Sequence, residues 1–214
     1  EARGVRPEGV AGHSLGEYAA LVAAGALGFE DAVRTVRLRG RYMQEAVPVG
    51  TGAMAAILML DAAKVQEACL EAAQGEIVAP ANLNCPGQIV ISGAADLMEK
   101  ACEAAKAAGA KKAMTLKVAG AYHSPLMAVA QPRLREAMGQ ITLQPTQIPV
   151  ISNVTALPHG DPVSIVNTVV DQVTASVRWE ESIRYLLAQG FTRFIELGPG
   201  KALSGFMKRI SDQV

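Results

Sequence analysis

Gly12-His13-Ser14-Leu15-Gly16 fits G-x-S-x-G, the pattern of a nucleophilic serine on a sharp strand-to-helix turn. Such a turn needs small neighbours, because its backbone is strained and crowded, and Gly12 and Gly16 meet that need. The turn also places Ser14 at a helix N-terminus, where unpaired N–H groups and the helix dipole favour a nucleophilic oxygen and a developing oxyanion. The N–H of Leu15, next after the nucleophile, is the oxyanion donor that this geometry supplies. A serine nucleophile needs a base, and the chain has three histidines. His13 adjoins Ser14, so its side chain leaves the turn in another direction. His159 lies in the turn Pro158-His159-Gly160-Asp161. His123, in Gly120-Ala121-Tyr122-His123-Ser124-Pro125, stands in the loop before a helix that Pro125 can open, and has the strongest claim.

The elements that must position these groups alternate along the chain. Gly9-Val10-Ala11 reads as the end of a strand and residues 17–24 as a helix stopped by Gly25. A second helix spans about 29–46, with Ala32, Val33, Val36, Arg37, Gly40 and Met43 near helical spacing. Its four arginines, Arg34, Arg37, Arg39 and Arg41, have the pattern of a solvated face. After the turn-rich 48–52 come strand 53–60, helix 62–74 (Val65, Cys69, Leu70 and Ala73 inward), strands 77–82 and 88–92, helix 95–108 and strand 113–118. That βαββαβ order is the ferredoxin-like arrangement. Beyond it the pattern predicts a helix from Pro125 to about Met138, strand 148–152, helices 163–174 and 179–189, strand 194–197 and a final helix 202–210. The expected fold class is therefore α/β. A parallel-sheet, α/β-hydrolase-like large subdomain (1–50 and 118–214) carries an inserted ferredoxin-like small subdomain (51–117). The large subdomain reads as incomplete at its start. An elbow serine sits among strands already built, yet Ser14 comes so early after Glu1 that only later segments can supply them.

Composition narrows the function classes. The 214 residues are half hydrophobic, with 20 basic and 20 acidic side chains and no net charge. That balance gives no sign of nucleic-acid binding or of a membrane surface. The apolar stretches fall short of the roughly 20 residues that span a bilayer. Cys69, Cys85 and Cys102 are odd in number and lack C-x-x-C spacing, as expected of reduced thiols in a cytoplasmic protein.

The longer segment Gly12-His13-Ser14-Leu15-Gly16-Glu17-Tyr18 resembles the active-site segment of malonyl-CoA:acyl carrier protein transacylases and the acyltransferase domains of fatty-acid and polyketide synthases. Arg39-Gly40-Arg41-Tyr42-Met43-Gln44 resembles the segment whose arginine binds the substrate's free carboxylate. Gly120-Ala121-Tyr122-His123-Ser124 resembles the catalytic-histidine segment, in the aromatic-His-Ser form that accompanies malonyl selection. The resemblance implies Ser14 as nucleophile, His123 as base, Arg39 as carboxylate ligand and the backbone carbonyl of Gln172 as the group orienting His123. It implies malonyl-CoA and the phosphopantetheine arm of acyl carrier protein as substrates, with no bound cofactor and no metal. The family's second oxyanion donor comes from a Gly-Gln-Gly stretch that this sequence lacks; Pro86-Gly87-Gln88-Ile89 imitates it only in part. Two other readings remain open at this point. G-x-S-x-G also permits a serine esterase or thioesterase, although that fold expects an acidic residue and then histidine after the serine. A catalytically crippled fragment that only folds and docks carrier protein is the other.

Overall fold

The computed structural model describes residues 4–118 and 120–212. The opening Glu1-Ala2-Arg3, from which the early position of Ser14 is counted, lies outside the described residues. The chain is α/β, with one parallel and one antiparallel sheet. Strand β1 (Val10–Ala11) pairs in parallel with β6 (Val150–Ile151), in the register Val10 to Val150 and Ala11 to Ile151. The neighbour of the elbow strand is thus supplied from late in the chain.

Side chains alternate across a strand, and this short sheet accordingly divides two cores. Val10 and Val150 face a core built by helices α1 (Gly16–Ala23), α2 (Phe29–Glu45), α5 (Ala130–Gly139) and α6 (Pro162–Asp171). Ala11 and Ile151 face a second core with α7 (Trp179–Ala188) and α8 (Ala202–Ile210). The break just before α5 has a local cause. Pro132 cannot donate the helical bond back to residue 128, so a 3-10 turn over Pro125–Met127 precedes α5 in place of one continuous helix.

Between α2 and the His123 loop lies the antiparallel unit. Strands β2 (Gly52–Leu58), β3 (Val78–Cys85), β4 (Gln88–Ala94) and β5 (Lys112–Thr115) form a sheet in the order β3-β4-β2-β5. Helices α3 (Ala62–Ala73) and α4 (Met98–Ala107) cover one face, packing on Ala55, Ile57, Ile89 and Ile91. On the other face Met54, Ala81 and Val90 meet Leu116 and Tyr122. The unit is tied to the rest of the chain where Val177 brackets β3 by donating to Ala81 O at 2.8 Å and accepting from Leu83 N at 2.9 Å.

Four expectations need correction. Residues 194–197 do not form a strand: among the described residues no strand lies beside them to take their hydrogen bonds, and Ile195 and Leu197 are exposed. In α3 the buried residues are Val65, Ala68, Cys69 and Ala72, while Leu70 faces solvent. In α2 the buried stripe is Ala32, Thr35, Arg39 and Met43, not the run through Val33, Arg37 and Gly40. Two polar residues hold core positions there, which displaced the apolar count by one register. Arg39 is consequently buried, while Arg34, Arg37 and Arg41 are exposed as a solvated face requires. Lastly, His159 is not a plain turn residue, as the site below shows.

Candidate active site

The elbow begins where β1 ends. A Cβ on Gly12 would lie 1.9 Å from Gly16 O and 2.4 Å from Glu17 N, so only glycine lets the chain double back this tightly. Gly16 N donates to His13 O at 2.9 Å and Glu17 N to Ser14 O at 3.1 Å, turning the strand directly into α1. Ser14 sits in the left-handed region, at φ 53°. Asn153, just past β6, clamps the turn because the register of β1 on β6 sets it alongside. Its Oδ1 accepts from Ser14 N at 2.6 Å and its Nδ2 donates to Gly12 O at 2.7 Å. Two hydrogen bonds across a strained turn help to hold Ser14 in an uncommon conformation.

His123 arrives from the loop before α5, itself at φ 57° and held by the neighbouring Ser124, whose hydroxyl donates to Ala121 O at 2.7 Å. Its Nε2 stands 2.7 Å from Ser14 Oγ. Its Nδ1 stands 2.8 Å from Gln172 O. A carbonyl can only accept, so Nδ1 carries the proton and Nε2 presents its lone pair to the serine hydroxyl. Gln172 is the C-cap of α6, and a helix's last carbonyls have no partner within the helix. That carbonyl is therefore free for the imidazole. Burial, with the Arg39 charge second, holds His123 down to about 3, so the ring is neutral at ordinary pH.

Arg39 reaches the same point from the buried stripe of α2. Its Nη2 donates to Ser14 Oγ at 3.0 Å and to Gln172 Oε1 at 2.8 Å. Its Nε is buried without a partner. Burial lowers its pKa from the usual range, and the nearby Tyr18 and Glu17 work the other way. The guanidinium carbon lies 5.7 Å from the centre of the Tyr18 ring, a cation–π distance. Burial likewise pushes up the phenol of Tyr18.

Leu15 follows Ser14 at the N-cap of α1, its side chain half exposed. Its N–H has no acceptor among the described residues, as an oxyanion donor requires. Gln88 is turned to another task, its Oε1 accepting from Arg209 Nη1 at 3.1 Å. His13 does leave the elbow in another direction: its Nε2 meets Asn84 Oδ1 of β3 at 2.9 Å, and its ring tilts over Trp179 at 5.5 Å.

The structure thus brings Ser14, His123, Gln172 and Arg39 to one place. It also brings residues that the sequence did not single out. Glu17 is fully buried and accepts from His159 Nε2 at 2.7 Å, Gln172 Nε2 at 2.5 Å and Asn153 N at 3.3 Å. Glu17 stands in the first helical turn, where a carboxylate reads as a dipole partner, so nothing local signals its burial. The side chain of Gln172 joins the site as well, a role for which the family resemblance, pointing only to its backbone carbonyl, gives no signal. Among the described residues no group of three or more His, Cys, Asp or Glu side chains could hold a metal ion. Among the same residues no helix is long and apolar enough to cross a membrane. The three cysteines are free and buried.

Comparison with known proteins agrees across the chain. Residues 1–212 match the acyl transferase domain family. A malonyl CoA-acyl carrier protein transacylase of Bacillus subtilis is 51% identical over 209 residues, 97% of this chain and 66% of the relative. The Escherichia coli K12 protein of that name is 48% identical, covering 98% of this chain and 68% of the relative. An acyl carrier protein S-malonyltransferase crystal structure from Vibrio cholerae superposes with a TM-score of 0.96 at 46% identity, over 98% of this chain and 69% of that one. A malonyl-transacylase solved in complex with a holo type II polyketide acyl-carrier protein superposes with a TM-score of 0.97 at 44% identity, over 99% of this chain and 69% of that one. The chain spans about two thirds of the length of these relatives.

Proposed function

Since the chain belongs to the acyl transferase domain family, we propose that it moves a malonyl group from malonyl-CoA to the phosphopantetheine thiol of acyl carrier protein. The observation that carries the reading is the joint placement of Arg39 Nη2 3.0 Å, and His123 Nε2 2.7 Å, from one serine oxygen. A nucleophile–base pair alone serves any ester. A buried guanidinium beside it favours an acyl group that carries its own carboxylate. The esterase or thioesterase alternative lacks support: the third position is a backbone carbonyl rather than an acidic side chain, and the matched relatives are transacylases.

In the first half-reaction His123 Nε2 takes the Ser14 hydroxyl proton as Oγ attacks the thioester carbonyl. Negative charge moves to the carbonyl oxygen, where the Leu15 N–H and the start of α1 face it. The C–S bond then breaks, His123 gives its proton to the departing CoA sulfur, and malonyl-Ser14 remains. In the second half the phosphopantetheine thiol gives its proton to His123 and attacks the acyl-serine. Collapse returns the proton to Ser14 and leaves the malonyl thioester on the carrier. An imidazole disfavoured as a cation by burial passes each proton on rather than keeping it. The Nδ1 bond to Gln172 O holds the ring in register throughout.

Within this reading, residues 1–50 and 118–214 form the catalytic subdomain and 51–117 a small subdomain that walls the cleft without supplying a catalytic side chain. No metal or bound cofactor is needed, since the thioester itself drives the transfer. Soluble substrates and three buried thiols fit the cytoplasm.

The test is direct. Incubation with malonyl-CoA should add one malonyl mass to a peptide containing Ser14, and holo acyl carrier protein should then remove it. Ser14→Ala should show no adduct. An adduct that persists in the variant would overturn the assignment, and an adduct discharged equally fast by water would favour hydrolysis.

A further inference from the structure

Glu17 and Arg39 are both buried, carry opposite charge and do not touch. Between them lies the side-chain amide of Gln172. A carboxylate can only accept hydrogen bonds and a guanidinium can only donate them. The amide has one end of each kind, so its orientation is forced. Nε2 faces Glu17 Oε2 at 2.5 Å and Oε1 faces Arg39 Nη2 at 2.8 Å. The second proton of Nε2 goes to Ser14 O at 3.0 Å. Every polar group of this side chain is committed, and Glu17 is braced in turn by His159 and Asn153.

We propose that Glu17 is a positioning residue which, through the Gln172 side chain, holds the Arg39 guanidinium level with Ser14 Oγ and thereby sets the preference for a carboxylated acyl group. The proposal rests on the reading of Arg39 given above and deepens it. Replacing Glu17 by glutamine keeps the shape but weakens the hold, because a neutral amide oxygen at 17 is a poorer acceptor for Gln172 Nε2 than a carboxylate. Gln172 is then braced less firmly, its Oε1 holds Arg39 Nη2 more loosely, and the guanidinium can shift away from Ser14 Oγ. Displacing a clamp by an ångström costs alignment only for substrates that use it. An acetyl group has no carboxylate for Arg39 to grip. A Glu17 that merely supported the fold would lower malonyl and acetyl transfer alike. Loss of positioning lowers the malonyl reaction selectively.

The experiment measures initial rates of Ser14 acylation by malonyl-CoA and by acetyl-CoA, by mass spectrometry on the full chain. It compares the parent with Glu17→Gln, Gln172→Met and Arg39→Ala. Gln172→Met keeps the backbone carbonyl that holds His123 and removes both ends of the amide, so it decides the matter if Glu17→Gln does not fold. The expected result is a malonyl-to-acetyl ratio lowered about tenfold or more in both variants, the effect of losing a charge-assisted hydrogen bond. The malonyl-CoA KM should rise. If Arg39→Ala collapses the ratio while Glu17→Gln and Gln172→Met leave it intact, the positioning role is overturned and the carboxylate reading stands. If Arg39→Ala also leaves the ratio intact, the carboxylate reading fails and takes this proposal with it.

Discussion

Replacing Arg39 by alanine separates carboxylate recognition from simple nucleophile chemistry. In the free protein one nitrogen, Nη2, serves both Ser14 Oγ and Gln172 Oε1, while Nε is buried without a partner. A buried donor left unpaired is costly, so the guanidinium is primed for an incoming acceptor. A malonyl carboxylate entering this cleft leaves water and must be paired. Truncating one partner of a buried charge pair costs on the order of 2–5 kcal/mol, or roughly 30- to several thousandfold in kcat/KM. Arg39→Ala also removes a hydrogen bond to Ser14, which alters nucleophilicity for every acyl donor. That effect is common to malonyl and acetyl, and cancels in the ratio of their kcat/KM values. The ratio should therefore fall by at least about 30-fold, whatever the shared change in absolute rate. Arg39→Lys should recover little, since an ammonium cannot span the fork between Ser14, Gln172 and a carboxylate. Melting temperatures of both variants control for the Glu17 charge left behind in the interior. A ratio within about threefold of the parent, in a folded variant, would refute the reasoning and return Arg39 to a packing role.

Three further outcomes follow from the same geometry. His123 is held down to about 3, so Ser14 labelling by a neutral fluorophosphonate should stay flat from about pH 8 to pH 5, and an acid-side midpoint near the ordinary histidine value would contradict this. Because that folded-state value lies below the unfolded one, the stability contribution is complete above about pH 6.5 and is lost as pH falls toward 3; His123→Ala should therefore flatten melting temperature against pH in that window. Gln88→Ala should leave labelling nearly unchanged, since its side chain is held by Arg209; a loss of about a hundredfold, without unfolding, would make it an oxyanion donor.

The candidate pair Ser14 and His123 was legible because each sits in a short local pattern whose geometry is self-contained. A strand, a tightly packed glycine and a helix suffice to place Ser14, and a loop closed by Pro125 places His123. The ferredoxin-like order was legible for the same reason, since alternation and helical spacing are local signals. Arg39 was not separable from its neighbours by spacing. Its buried register depends on Thr35 and Arg39 occupying core positions, which only the pairing of α2 with the site makes favourable. Glu17 and His159 are 142 residues apart and meet only because β6 lies against β1. Long-range polar pairs of that kind leave no period in a sequence. Residues 194–197 failed in the opposite sense. Their pattern is that of a strand, but a strand is defined by its neighbours.

The two glycines of the elbow pattern provide a last test of that distinction, because sequence treats them alike and the structure does not. A Cβ on Gly12 meets the backbone of Gly16 and Glu17 at 1.9 to 2.4 Å, and no flexible side chain can yield there. A Cβ on Gly16 meets nothing within 4 Å, and Gly16 is the first residue of α1, at negative φ. Space limits the first glycine and not the second, contrary to the expectation that both answer to crowding. Gly12→Ala should therefore open the turn, release the Asn153 clamp from Gly12 O and Ser14 N, and abolish fluorophosphonate labelling even where the fold survives. Gly16→Ala should keep labelling and gain about 0.4–1 kcal/mol, since alanine loses less backbone entropy than glycine on entering a helix. In a chain of this size that is a rise of about 1–4 °C in melting temperature. Loss of labelling in Gly16→Ala with a raised melting temperature would mean that the second glycine makes room for the substrate rather than for the turn.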